Sequence, residues 1–132
     1  MLYTSSKRRY RKETGMASWI SKKARLAIYK RDACTCIYCE KQCVVGDTKN
    51  EEIQKGDLAT LDHIVSQKEL AELASDDKDF SAKRRNPKNL VVSCMSCNSK
   101  KQARSLYAFC GQQGIDYAAI LREIGRRIAL PV

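Results

Sequence analysis

Cys36-Ile37-Tyr38-Cys39 and Cys94-Met95-Ser96-Cys97 are two C-x2-C steps in a chain of 132 residues, and their reading decides the fold. A two-residue spacing lets both thiolates of a step reach one tetrahedral ion, and two steps together fill a four-cysteine zinc site. The bland alternative is two pairs of buried free thiols, because cysteine packs like a small hydrophobe. Two such pairs at metal-ligand spacing in one chain favour the metal. In the first cluster Cys43 also follows Cys39 at an allowed spacing, so either Cys36 or Cys43 joins Cys39, Cys94 and Cys97 as a ligand. A site with four protein ligands has no open position, so it staples the fold and leaves the chemistry to other residues. Seven cysteines, clustered and odd in number, speak for metal in a reducing compartment rather than for disulfides. Cys34 and Cys110 read as structural or incidental.

Around these steps the charge is segregated. The chain carries 25 Lys and Arg against 15 Asp and Glu, a net +10. Residues 1–31 hold ten basic side chains and one acid, residues 32–80 five and twelve, residues 81–132 ten and two. A single Lys or Arg is normally a solvated surface group, but two basic flanks of this excess fit a polyanionic partner. With 43% hydrophobic residues the chain has the composition of a globular domain. No apolar run approaches spanning length and no lipidation motif accompanies the basic stretches, so a membrane partner is not expected. The first fifteen residues lack the apolar segment of a secretory signal, and the expected location is intracellular, cytoplasmic or nucleoid-associated.

Residues 1–16 read as a flexible basic arm, with Lys7, Arg8, Arg9, Arg11 and Lys12 as candidate phosphate contacts. Residues 17–132 read as one domain. Trp19, Ile20, Ala24, Ala27 and Ile28 recur at helical spacing behind Ser18 or Ser21 as N-cap. Residues 58–65 (LATLDHIV) and 90–92 read as short strands able to pair antiparallel. Between them, residues 67–74 suggest one or two helical turns, followed by a surface loop. Ala103, Leu106, Tyr107 and Cys110 predict a helix over about 96–109, stopped by Gly111. A last helix is expected over 116–129, capped by Asp116, with Ile120, Leu121, Ile124 and Ile128 as its buried stripe. The fold class is α+β.

His63 is the chain's single histidine, and it directly follows Asp62. A lone histidine is more often a core or surface group than a catalyst, but its neighbours alter the balance. Phosphodiester hydrolysis needs a base near neutral pH and a divalent cation to hold the phosphate. Asp62 is a hard oxygen ligand for magnesium or manganese, and Asn98, next to Cys97, offers a second. Lys101 and Arg104 follow on the same helical face. For Lys101, phosphate contact and plain solvent exposure are the two readings.

Asp62-His63-Ile64, then Asn89-Leu90-Val91, then Cys94-x2-Cys97-Asn98-x2-Lys101 together resemble the HNH endonuclease family. The resemblance covers about residues 24–104 and implies a small ββα-metal (His-Me finger) core with structural zinc, flanked by helices. It implies His63 as general base, Asn89 as the residue that fixes the loop and the imidazole, and Asp62 and Asn98 as ligands of one catalytic divalent cation, Mg2+, Mn2+ or Ni2+. It further implies cleavage to 5′-phosphate and 3′-hydroxyl ends. Two positions depart from the family pattern. Asn98 stands where many members have His, and Val65-Ser66-Gln67 continues where members often have Pro. Adjacent residues of a regular strand face opposite sides, so the strand must end, twist or bulge near Asp62 for both groups to serve one site.

The expected function is therefore a metal-dependent DNA endonuclease. The rival from another class is a non-catalytic zinc-knuckle module that binds nucleic acid through its basic flanks, which would have no need of Asp62, His63, Asn89 and Asn98 together. A zinc protein of RNA or the ribosome is permitted by the charge, but aromatic residues for base stacking make up only 7%.

Overall fold

In the computed structural model, which describes residues 19–46, 49 and 51–132, strand β2 (Leu90–Cys94) is buried at all five positions. A strand with no wet face must be covered on both sides, which explains its run of Leu90, Val91 and Val92. Strand β1 (Ala59–His63) pairs with it antiparallel in unbroken register, from Ala59 opposite Cys94 to His63 opposite Leu90. A two-stranded ribbon is marginal in water by itself. Helix α1 (Lys22–Arg31) and helix α6 (Tyr117–Ile128) pack on β2, and helix α4 (Met95–Lys101) leaves β2 directly and packs on both strands. The described residues thus form a small α+β domain with six α-helices and two antiparallel strands. Ile28, Ile37, Phe109, Ile120 and Ile124 close the core around β2, each such side chain contributing about 1.5–3 kcal/mol on burial. No helix among the described residues is long and apolar enough to cross a membrane.

Of the two expected N-caps of helix α1, the structure uses the second. Ser21 is the N-cap and accepts from the Ala24 amide at 3.1 Å, so Trp19 precedes the helix instead of belonging to its face. The segment linking β1 to β2 holds helix α2 (Gln67–Leu73) and helix α3 (Asp77–Arg84), packed on each other. The second replaces the expected surface loop. Its stabilisation is local: Asp76 caps it through the Asp79 amide at 2.8 Å, with acids in the first turn and Lys83 and Arg84 in the last, the arrangement that complements the helix dipole.

The helix expected over 96–109 is two helices. Helix α4 ends where Gln102 turns to φ +50°, and Ser105 caps helix α5 (Leu106–Gln113) through the Ala108 amide. Gly111 lies inside α5, and Gly114 at φ +68° is the residue that stops it, since only glycine takes that conformation without a Cβ penalty. Helix α6 starts at Asp116 as expected, but Leu121 is exposed and the buried stripe includes Arg127.

Arg127 is buried because it reaches Asp32, which lies just after α1. Asp32 takes Arg31 at 2.7 Å and Arg127 at 3.5 Å, and accepts from the Val92 amide at 2.8 Å. Arg31 also donates to the Pro87 and Leu90 carbonyls, and Arg127 to the Thr35 carbonyl. A buried carboxylate is tolerated only when paired and fully hydrogen-bonded. This one joins α1, β2 and α6.

Candidate active site and metal-binding cysteines

The two C-x2-C steps converge. The sulfur atoms of Cys36, Cys39, Cys94 and Cys97 all lie within 4.8 Å of one another. Backbone turns build the first step: Cys36 donates its amide to the Lys41 carbonyl at 2.8 Å, and Glu40 at φ +63° reverses the chain just after Cys39. The second step is the junction of β2 and α4. Cys94 caps the helix, its sulfur accepting from the Cys97 amide at 3.4 Å. Burial pushes the Cys36 thiol up, but the amides of Cys39, Cys94 and Tyr38 aimed at it outweigh burial and hold it below the usual thiol value. Burial, then the neighbouring thiolates, push Cys97 the other way. Four thiols competing for protons at this distance make a set that can hold a structural metal ion such as zinc. Cys43 stands outside the group, with its thiol donating to the Lys41 carbonyl at 3.7 Å and pushed up to about 12 chiefly by burial. Of the two alternatives for the fourth ligand, the geometry favours Cys36.

Beside the cysteines a cleft of about 390 Å3 opens where β1 ends, and Asp62, His63, Asn98 and Lys101 all line it. The strand has no bulge; it stops at His63, and a bend follows at Ile64 and Val65. Asp62 and His63 keep their alternation: Asp62 meets Tyr38 and Lys101, His63 meets Trp19 and Arg84. Both border the same cleft because the strand terminates there.

His63 is 7% exposed. Its Nε2 lies 2.7 Å from the Arg84 carbonyl. A carbonyl only accepts, so Nε2 carries the proton and Nδ1 keeps a free lone pair. Burial holds the imidazole below its ordinary pKa against the opposing pull of the Arg84 carbonyl and of Asp62. Trp19 covers the ring at 5.1 Å between centroids, and the guanidinium groups of Arg25 and Arg84 lie 5.6 and 5.5 Å from the indole. The sequence pattern placed Trp19 only in a run at helical spacing; its contact with His63 joins residues 44 positions apart in sequence.

Asn89 does not line the cleft. Its side-chain oxygen accepts from the Val65 amide at 2.8 Å, its nitrogen donates to the Val65 carbonyl at 3.1 Å, and its own carbonyl accepts from Ile64 at 3.0 Å. Asn89 therefore clamps the bend that follows His63, while the imidazole itself is held by Arg84. Asn98 donates to Thr60 Oγ1 at 3.0 Å and to the Leu61 carbonyl at 3.4 Å, which leaves its amide oxygen for another partner.

For Lys101 the solvent-exposed reading is corrected. Expected on a phosphate or in solvent, it is 1% exposed, with its ammonium 3.2 Å from Asp62 Oδ1 and 3.2 Å from the His63 carbonyl. The long stem lets the last residue of α4 turn its charge inward, and the Asp62 carboxylate balances the cost of burying it. The other Asp62 oxygen accepts from the Tyr38 hydroxyl. Arg104 is exposed, outside the cleft lining, and bonds the Lys100 carbonyl. Arg25 and Lys68 are the basic residues of the cleft that sequence reasoning did not single out. Lys7, Arg8, Arg9, Arg11 and Lys12 lie outside the described residues.

No protein-family model and no curated protein matches the chain. Among solved structures it is similar to the Type II-C Cas9 enzyme from Actinomyces naeslundii, at 18% identity and a TM-score of 0.45. That match takes in 96% of this chain, which spans 13% of the Cas9 chain.

Proposed function

We propose that the chain is a metal-dependent DNA endonuclease of the HNH type, with a ββα-metal core, that hydrolyses phosphodiester bonds. The observation that carries the reading is the His63 imidazole, protonated at Nε2 by its bond to Arg84 and free at Nδ1, in one cleft with Asp62 and Asn98. In this role Nδ1 takes a proton from the attacking water. Arg84 fixes the tautomer, and Asn89 fixes the bend that carries the histidine.

The cleft offers hard oxygen donors, the Asp62 carboxylate, the Asn98 amide oxygen and the His63 carbonyl, and the Lys101 ammonium already stands among them as a resident cation. That chemistry fits Mg2+ or Mn2+. Asp62 and Asn98 would hold the divalent ion, which would supply positive charge to the scissile phosphate and the departing 3′ oxygen. Arg25, Lys68 and the basic arm bind the DNA backbone without reading sequence. Cys36, Cys39, Cys94 and Cys97 would hold a structural zinc ion that would staple the core.

One observation favours the second reading, a silent zinc module that binds nucleic acid: Tyr38 and Lys101 already engage the two oxygens of Asp62. Nicking of supercoiled plasmid by the purified protein separates the two. The endonuclease loses activity in EDTA and regains it with magnesium, manganese or nickel. DNA binding with no nicking under any of these metals would establish the silent module.

A further inference from the structure

Lys101 is the last residue of α4, and Gln102 after it leaves the helical conformation at φ +50°. Lys101 is among the residues that line the cleft, and its buried ammonium is held by two oxygens, Asp62 Oδ1 and the His63 carbonyl, each at 3.2 Å. Asp62 is 4% exposed and its second oxygen is committed to Tyr38. One carboxylate oxygen is thus the anchor of a cation, and a lysine occupies it. A divalent ion and an ammonium a few ångströms apart repel strongly in a buried site, and one carboxylate cannot neutralise both.

We infer that Lys101 is a built-in counter-ion of Asp62 that a divalent cation must displace, and that metal loading swings its ammonium into the cleft. The inference rests on the reading of Asp62 as a divalent-ion ligand. Lys101 is a positioning residue here: it holds Asp62 in place, charge-balanced, while the metal is absent. The flexible four-carbon stem at a helix end gives the ammonium freedom to leave, and the cleft gives it a path. The exchange puts a positive charge where a phosphate backbone would lie. It also makes the resting protein a weak binder of divalent ions, because each ion must first break a buried ion pair.

Amine acylation of the full-length, zinc-loaded protein, read by mass spectrometry with and without Mn2+, tests this directly. Lys101 is protected without Mn2+ and gains reactivity by at least ~10-fold with saturating Mn2+, while exposed Lys100 labels equally in both. Mn2+ that binds, by calorimetry, and leaves Lys101 protected would overturn displacement without touching the endonuclease reading. As a second measurement, Lys101→Met binds Mn2+ about tenfold more tightly than the native chain, because the competing charge is gone. Equal or weaker binding would overturn the inference, and if that variant fails to fold the labelling decides. Absence of Mn2+ binding by both proteins would overturn the divalent role of Asp62 itself, and this inference with it.

Discussion

The Tyr38 hydroxyl donates a hydrogen bond to Asp62 Oδ2, so a side chain from within the first cysteine step fastens the carboxylate of the cleft. Burial first, and then the charge of Asp62, hold the phenol protonated far above its usual range. Its ring packs edge-on against Phe109 at 4.9 Å between centroids. Tyr38 thereby links the four-cysteine cluster to the candidate active site.

Tyr38→Phe tests that link. The substitution keeps the ring and leaves a buried carboxylate oxygen one donor short, which costs about 1–3 kcal/mol. Urea denaturation measures it. A change below about 0.5 kcal/mol would mean that Asp62 does not depend on the phenol.

One zinc per chain is expected by elemental analysis, lost in Cys94→Ser and kept in Cys43→Ser, because Cys43 lies outside the four-sulfur group. Such an ion would join segments some sixty residues apart, and its binding would supply folding free energy on the order of 10 kcal/mol. Cys94→Ser therefore unfolds or aggregates. Zinc loss in Cys43→Ser with retention in Cys36→Ser would reassign the ligand.

Arg126 and Arg127 are adjacent and unequal. Arg127 is 4% exposed and bound to buried Asp32, so Arg127→Met costs about 3 kcal/mol by leaving that carboxylate short of a partner. Arg126 pairs with Glu123 in solvent, and Arg126→Ala leaves the denaturation midpoint nearly unchanged. Equal effects would show that the Asp32 cluster is not what holds α6 to the core.

These two arginines also mark where sequence reading ran out. The cysteine steps, the strand pair and the Asp116-capped helix were legible because spacing, β-branched composition and an N-cap are local signals. Helix α3 was not, since DKDFSAKR has no apolar stripe and owes its form to Asp76 and its end charges. The ion pairs of Lys101, which has phosphate contact and solvent exposure as its two sequence readings, and of Arg127, which no local signal singles out, are not legible because charge alone says nothing of a partner. Theirs, Asp62 and Asp32, are 39 and 95 positions away and come near only through the tertiary fold. His63 was identifiable as a candidate, but its Arg84 and Trp19 contacts needed the packed α2–α3 segment and the turn before α1.

Glu123 makes a small contribution to the acid response of stability, because its leading partner Arg126 is solvent-exposed. Its bonds to Arg126 first, and then to Arg127, lower its pKa from the ordinary 4.5 to about 2. A lowered carboxylate stabilises the fold fully above the unfolded value, and that contribution is lost as pH falls from about 4.5 through about 2. Thermal melts over this window should lose less stability on acidification in Glu123→Gln than in the native chain. Identical slopes would remove Glu123 from the acid response.

His63→Ala in the plasmid-nicking assay is the most direct test of the endonuclease reading. A general base acts on the transition state rather than on ground-state binding, so cleavage falls by ~10²-fold or more while folding, zinc content and DNA affinity stay near native values. Added manganese does not rescue it, because the missing group is a proton acceptor and not a ligand. A purified His63→Ala protein that nicks plasmid at the native rate would contradict the account.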